Sequence, residues 1–392
     1  MKAASNKLYD ALFKFANQAG SWRDVRHLQV LVWMVIGLIQ EGTIHLSAWV
    51  DHVDSRAVYA QSTQRRFSRW LHNGRIQAYR AYAPLIRQVL ADWQDSVIYL
   101  ALDTTMLWDT YCVIRLSLVY RGRAVPLVWR VLRHASSSVS FGRYRRLLQR
   151  ASTLLPEGVE VVLLGDRGFM NAPLARWLPA TLRWHYHVRL KEDSWFWARG
   201  QWRQLKQVHL ARGEALFLHH VKLFKRKSLS NVHLAMARDP VSGQFWAIVS
   251  DRPTTLQTLW DYALRFDIEE NFLDDKSNGF QLEASGLRHS QTITRLLLVT
   301  AVATLFLTLQ GTALVSAKGR RWVDTHWHRG LSYLKLGWKW VKQCLSRGHR
   351  LFSLFSLNTA CDPQPAIASV RQAEKLLFAR TFIVKAPQAL IL

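Results

Sequence analysis

Two stretches of the chain decide the fold, and in each an apolar run leads into an aspartate. Residues 97–105 read VIYLALDTT and contain Asp103, and residues 159–169 read VEVVLLGDRGF and contain Asp166. Continuous apolar runs of this length predict buried strands. If the two strands are neighbours in one sheet, both carboxylates emerge at the same edge, where they repel each other and lose solvation unless a cation lies between them. Taken alone, each aspartate is equally well explained as a cap of the following turn.

The segments around these aspartates follow the order strand, strand, strand, helix, strand, helix, strand. The patterns place these elements at residues 97–102, 111–120, 124–132, 144–155, 159–164, 172–182 and 184–190. This order predicts an α/β fold with a mixed sheet and matches the ribonuclease H-like order. We therefore expect residues 96–190 to form the first part of such a core.

The remaining chain divides by composition into four further regions. Residues 1–95 are predicted to be a helical N-terminal DNA-binding domain, in which Arg65, Arg66 and Arg69 alternate with apolar residues as in a helix laid on phosphates. A solvated helix face explains each single arginine equally well. Residues 191–252 predict a β-rich insertion, and residues 253–317 the second part of the core. Residues 318–392 predict a basic helical C-terminal region.

The charge balance indicates a polyanionic partner. The chain has 392 residues, with 53 Lys and Arg against 27 Asp and Glu and a formal net charge of +26. Nucleic acid is the first candidate, because cationic side chains that neutralise phosphates supply most of the non-specific affinity. The three cysteines fit neither a disulfide framework nor a zinc finger. The first residues lack the apolar core of a secretory leader, so we expect a cytoplasmic protein.

One segment could belong to a membrane protein. Residues 296–317 contain no charged side chain and are long enough to span a bilayer. Thr300, Thr304 and Thr308 recur at four-residue intervals and form a hydroxyl stripe, which favours a buried core helix over a membrane anchor. We therefore predict no membrane association.

A third acid is singled out by helical geometry. If residues 254–276 form one helix, Tyr262, Arg265, Glu269 and Lys276 fall within an arc of about 60° at 100° per residue. Glu270 lies outside this arc. Spacing alone favours an ordinary ion-paired surface helix, in which Arg265 and Glu269 form an i,i+4 pair.

The same four residues carry a resemblance to a known family. The pattern Tyr262-x2-Arg265-x3-Glu269-x6-Lys276 resembles the signature of the insertion sequence 4 family of DDE transposases, and the Asp-Thr-Thr at Asp103 and the Gly-Asp-Arg-Gly at Gly165 also match. The resemblance extends over about residues 96–345. It implies a ribonuclease H-like catalytic core in which Asp103, Asp166 and Glu269 bind two Mg²⁺ ions, for which Mn²⁺ could substitute.

The resemblance also implies roles for residues around the triad. Tyr262, Arg265 and Lys276 would hold DNA phosphates, and Arg189 and Lys191 resemble the family's basic pair near the scissile phosphate. Trp246 stands where family members that excise through a hairpin stack a flipped base. Trp246 is equally well explained as part of the core of the β-rich insertion, and the basic pair as a solvated strand end.

The function implied is a DNA transposase that binds the ends of its insertion sequence. It would cleave DNA with two metal ions and join the 3′ ends to target DNA, as a homodimer on double-stranded DNA in a prokaryotic cytoplasm at the nucleoid. Three alternatives remain: a domesticated non-catalytic DNA-binding protein, a structure-specific nuclease with the same core, and a basic membrane protein anchored by residues 296–317.

Overall fold

The computed structural model describes residues 2–17, 22–55, 57–93, 96–276, 279–365 and 382–386. The predicted domain boundary after residue 95 falls partly on residues outside this description. Of the predicted C-terminal region, residues 366–381 and 387–392 also lie outside the described residues.

The N-terminal region is helical, as predicted. A short 3₁₀ helix, Ala48–His52, lies between the second and third α-helices. Asp24 caps the N-terminus of the second helix, and its carboxylate accepts a hydrogen bond from the backbone N–H of Arg26. Gly42 caps the C-terminus in the left-handed conformation. The four α-helices are α1 (Lys2–Asn17), α2 (Val25–Glu41), α3 (Ala60–His72) and α4 (Ala78–Val89).

A mixed sheet forms the core. Its first five strands lie in the order β3-β2-β1-β4-β5, with β1, β2 and β3 antiparallel and with β4 parallel to both β1 and β5. This is the ribonuclease H-like arrangement, so the predicted fold class is confirmed. The elements are β1 (Ile98–Leu107), β2 (Tyr111–Tyr120), β3 (Arg123–Arg133), α5 (Phe141–Ser152), β4 (Val161–Gly165), α6 (Ala172–Trp177) and β5 (His185–Arg189).

The first strand is longer than the apolar run that predicted it. Asp103 does not close the strand, because residues 103–107 continue to pair with residues 111–115 of the β1–β2 hairpin. The pairing with β4 stops earlier, at Leu102 opposite Gly165. Asp103 therefore lies inside β1 but at the point where the parallel part of the sheet ends.

The segment predicted as a β-rich insertion is indeed built of strands, but it is continuous with the core sheet. The order continues from β5 as β10-β9-β8-β6-β7, and a late strand pairs with β8. Its elements are β6 (Trp195–Ala198), β7 (Gln201–Gln204), β8 (Glu214–Leu223), β9 (Leu229–Arg238), β10 (Phe245–Ser250) and the late β11 (Ile383–Lys385). The described C-terminal residues thus include this strand and are not helical throughout.

The helix predicted for residues 254–276 is divided into two, α7 (Leu256–Ala263) and α8 (Phe266–Lys276). Between them the backbone N–H groups of Leu264 and Arg265 donate three residues back, to Asp261 and Tyr262. This tightened turn replaces the α-helical ladder, so a single helical wheel does not apply from Tyr262 to Lys276.

The longest helix is α9 (Ser290–Ser316), which packs against α10 (Tyr333–Arg347). Within the described residues, α9 is the one helix long and apolar enough to cross a membrane, and 94% of its most apolar window is buried inside the protein. Thr300, Thr304 and Thr308 are all buried. The prediction of a buried core helix is confirmed.

Two glycines permit the close crossing of α9 and α10. A Cβ atom on Gly311 would overlap the carbonyl oxygen of Tyr333, and one on Gly337 would overlap the carbonyl oxygen of Leu307. Both obstacles are backbone, so a larger residue could be accommodated only if the helices separated.

We therefore expect Gly337→Ala to lower the free energy of unfolding by about 3 kcal/mol, the upper end of the usual cost of overpacking a core. Gly142→Ala is the matched control, because Gly142 lies in α5 with open space around its Cβ position. The control should be neutral or slightly stabilising, since alanine is the better helix former. Urea unfolding followed by circular dichroism measures both; equal stability of the two variants would contradict the close crossing.

Candidate active site

The two strand aspartates are neighbours at one edge of the sheet. The last parallel pair joins Leu102 of β1 to Gly165 of β4. Asp103 follows Leu102 in the sequence, and Asp166 follows Gly165. Side chains at matching positions of adjacent strands point to the same face. The sequence prediction that both carboxylates emerge together therefore agrees with the strand register.

Helix α8 brings the third acid to this edge. Arg265, just before α8, donates to Asp103 Oδ2 at 3.0 Å and to Glu269 Oε1 at 2.6 Å. The guanidinium side chain is only 5% exposed. Glu270 turns elsewhere and pairs with Arg123 of β3 at 3.5 Å. Of these two adjacent glutamates, the structure thus places Glu269 beside Asp103.

The carboxylates influence one another electrostatically. The pKa of Asp103 is raised to about 6, chiefly by burial and also by the charges of Glu269 and Asp166, while Arg265 acts to lower it. A buried carboxylate with acidic neighbours favours protonation unless a cation compensates its charge. Arg265 compensates this charge only in part, since the pKa of Asp103 stays raised.

The three acids fit a divalent cation by the chemistry of their donors. Carboxylate oxygens are the hard ligands that Mg²⁺ and Mn²⁺ prefer. Over the described ranges, no group of three or more His, Cys, Asp or Glu side chains is already arranged as a metal site. Asp103 and Glu269 are held by Arg265 in that geometry, so cation binding requires a change of these contacts.

Tyr262 and Trp246 lie in the core beside the site. Tyr262 is fully buried, and burial raises its pKa to about 12, while the charges of Arg265, Asp166 and Arg189 also act on it. Trp246 is 5% exposed, with its ring centre 5.4 Å from that of Tyr262 and 5.7 Å from that of Phe266. Neither ring is open to a DNA base in this arrangement.

The predicted basic residues occupy different surroundings. Arg189 donates to the carbonyl oxygen of Phe245 at 2.8 Å, and Lys191 is exposed beyond the end of β5. Lys276 donates to the carbonyl oxygen of Met106 at 2.6 Å and pairs with Glu283 at 3.3 Å. Lys276 thus binds near the C-terminal end of β1, and its hydrogen bond and ion pair do not involve Asp103, Asp166 or Glu269.

The arginines of α3 lie on its outer side. Arg65 and Arg69 are exposed, whereas Arg66 is partly covered and lies 5.5 Å from the ring centre of Trp33. Phe67 and Trp70 of the same helix are buried. The exposed arginines and the buried aromatic residues thus lie on different sides of α3.

Sequence reasoning missed the residues that fasten α8 to the sheet. Arg115 of β2 is 1% exposed and pairs with Asp275 at 2.5 Å, and Arg123 pairs with Asp274 at 3.3 Å. The signal was present in the sequence, since Arg115 is a single charge within the otherwise uncharged strand YCVIRLSLVY. A lone charge in a buried strand requires a buried partner.

Comparison with known proteins gives one family match. Residues 112–306 match the family model of the transposase DDE domain. This range is just under half of the chain; it contains Asp166 and Glu269 and begins nine residues after Asp103. No curated protein matches the chain.

A search of solved structures finds similar chains. One is in a cryo-EM structure of a piggyBac transposase synaptic complex with hairpin DNA, at 10% identity and a TM-score of 0.39, over 97% of this chain and 84% of that chain. A likeness this weak supports no conclusion about function.

The raised pKa of Asp103 predicts a pH dependence of stability. Because its pKa is about 6 in the folded protein against 3.8 as the ordinary value, its contribution to stability is complete below pH 4 and is lost as the pH rises through 6. In metal-free protein, the wild type should lose about 2 to 3 kcal/mol relative to Asp103→Asn between pH 4 and 7. Denaturant unfolding at several pH values measures this; parallel pH profiles would contradict it.

Proposed function

We propose that this protein is a DNA transposase that cleaves DNA by metal-assisted hydrolysis and joins the freed 3′ ends to target DNA. One observation carries the proposal: at one edge of a ribonuclease H-like sheet, Asp103 and Asp166 directly follow the last parallel pair of β1 and β4, and Arg265 joins Asp103 to Glu269. The match of residues 112–306 to a transposase DDE domain supports it. The narrower assignment to the insertion sequence 4 family rests on the Tyr262, Arg265, Glu269 and Lys276 spacing.

In this proposal the three carboxylates hold two Mg²⁺ ions. Bound divalent cations would activate water or a 3′-hydroxyl for attack and stabilise the leaving oxygen. Asp103 in β1 and Asp166 directly after the adjacent β4 would supply two of the proposed metal ligands, and Glu269 of α8 would supply the third. Arg265, once released from the carboxylates, has a guanidinium group suited to a phosphate oxygen beside them.

The proposed partner is double-stranded DNA, which accounts for the net charge of +26. The exposed Arg65 and Arg69 of α3 would contact the backbone of the element ends, with Lys191 nearer the scissile phosphate. A homodimer would pair two ends, and the protein would act in a prokaryotic cytoplasm. Hairpin excision would additionally require Trp246 to become exposed for stacking.

Two alternatives predict different products. A structure-specific nuclease with this core would cleave without joining strands. A domesticated DNA-binding protein would bind without cleaving, which the intact set of three carboxylates disfavours.

The decisive comparison uses the two adjacent glutamates. Glu269→Gln should reduce strand cleavage by at least about 1,000-fold, because it removes one proposed metal ligand, and should leave duplex binding unchanged. Glu270→Gln is the matched control, since Glu270 faces Arg123, and should retain cleavage within about threefold. The assay incubates a plasmid carrying the gene's own flanking ends with Mg²⁺ and resolves nicks, hairpins and joined strands.

Joined or hairpin products from the wild type and from Glu270→Gln alone would support the transposase. Cleavage without joining would favour the nuclease. Binding with no cleavage in Mg²⁺ or Mn²⁺ would overturn the catalytic proposal.

The DNA contacts of α3 are tested by salt dependence. The slope of log affinity against log salt should be about −0.9 per phosphate contact on duplex DNA. Arg65→Gln combined with Arg69→Gln should weaken binding and make this slope less steep by about two units. The control combines Lys206→Gln with Lys222→Gln, two exposed cations outside α3: Lys206 lies in a short 3₁₀ helix after β7, and Lys222 lies in β8. If both double variants change the DNA affinity and the salt slope equally, α3 does not make the proposed DNA contacts.

A further inference from the structure

We propose that Arg115 is a positioning residue that fixes α8 on the sheet and thereby sets the distance from Glu269 to Asp103. This inference rests on the proposed function, because it concerns the same carboxylates. Arg115 itself touches neither the reacting atoms nor the proposed ions.

Arg115 lies between the strand that carries Asp103 and the helix that carries Glu269. It is the register partner of Asp103 on the neighbouring strand, so it belongs to the same face of the sheet. Its Nη1 donates to Asn271 at 2.8 Å, and its Nη2 lies 2.5 Å from Asp275 Oδ2. Its Cζ is 4.9 Å from the ring centre of Phe272. One planar group thus contacts three side chains of α8.

Helix α8 depends on such contacts because its buried side is mostly polar. Of its six buried residues, only Ile268 and Phe272 are apolar; the others are Asp267, Asn271, Asp274 and Asp275. The helix also begins directly after the tightened turn at Leu264 and Arg265, so α7 does not extend into it as a continuous rod. Apolar burial alone therefore anchors it weakly.

Arg115 is suited to remain an anchor when the site binds cations. Arg265 holds α8 through Asp103 and Glu269, the same oxygens that a metal ion needs, and must give up these contacts. Arg115 contacts residues two and six positions after Glu269, and its hydrogen bond and ion pair do not use the oxygens of Asp103, Asp166 or Glu269. Arg123, a second sheet arginine that pairs with α8, is more exposed, and its contacts to Asp274 and Glu270 are longer, at 3.3 and 3.5 Å.

The test removes the buried pair without leaving an unpaired charge. Arg115→Met with Asp275→Leu is compared with Arg329→Met with Asp362→Leu, a second buried arginine pair at 2.7 Å that lies outside α8. Three quantities are measured: amide hydrogen exchange of residues 266–276 in metal-free protein, Mn²⁺ affinity from the spectroscopic signal of free Mn²⁺, and duplex DNA affinity. The Mn²⁺ measurement does not depend on catalysis.

We expect the Arg115 variant to show faster exchange in α8 and Mn²⁺ binding weakened about 10- to 100-fold, the usual effect of losing a group that orients metal ligands. Its DNA affinity should stay within about twofold. The Arg329 control should change neither α8 exchange nor Mn²⁺ affinity. Unchanged Mn²⁺ affinity in the Arg115 variant, or an equal loss in the control, would overturn the inference.

Two milder variants keep the test decisive if the double variant does not fold. Arg115→Lys keeps a charge opposite Asp275 but cannot bridge to Asn271, and Asn271→Ala removes that hydrogen bond alone. Each should weaken Mn²⁺ binding by about threefold to tenfold, and wild-type affinity in both would refute the positioning role. If the wild type neither binds Mn²⁺ nor nicks DNA, both the proposed function and this inference fail. If the wild type binds Mn²⁺ and nicks DNA, and every Arg115 variant binds Mn²⁺ equally well, only this inference fails.

Discussion

The candidate site is organised by the need of buried carboxylates for a cation. Asp103 and Asp166 end the parallel part of the sheet side by side, and Glu269 approaches from a separate helix. Three acids at a partly buried edge repel each other unless positive charge compensates them. Arg265 supplies this charge between Asp103 and Glu269.

The same principle extends to the way α8 is attached. This helix is held on the sheet by ion pairs with Arg115 and Arg123 as well as by Ile268 and Phe272. Ion pairs in a low-dielectric interior depend strongly on direction and distance, whereas apolar contacts tolerate sliding. The more directional attachment suits a helix that carries a proposed metal ligand, Glu269.

Many of the strands and helices could be predicted from the sequence, because apolar runs and their order are local signals. The strands around Asp103 and Asp166 and the buried helix α9 were predicted from such patterns. The break at Leu264 and Arg265 was missed, since nothing in those two residues opposes a helix. The union of residues 195–250 with the core sheet was also missed, because strand pairing depends on distant partners. Arg265 was expected on the face of Glu269, but its bridge to Asp103 joins residues far apart in the chain.

The continuity of the sheet has a consequence for the evolution of the chain. Strand β10 covers the backbone edge of β5, with Ile248, Val249 and Ser250 lying opposite residues 189, 188 and 187. A shortened descendant that lost residues 191–252 would expose that edge, and bare edges recruit strands from other molecules. Residues 191–252 therefore also serve as the cover that keeps β5 from pairing with a second molecule.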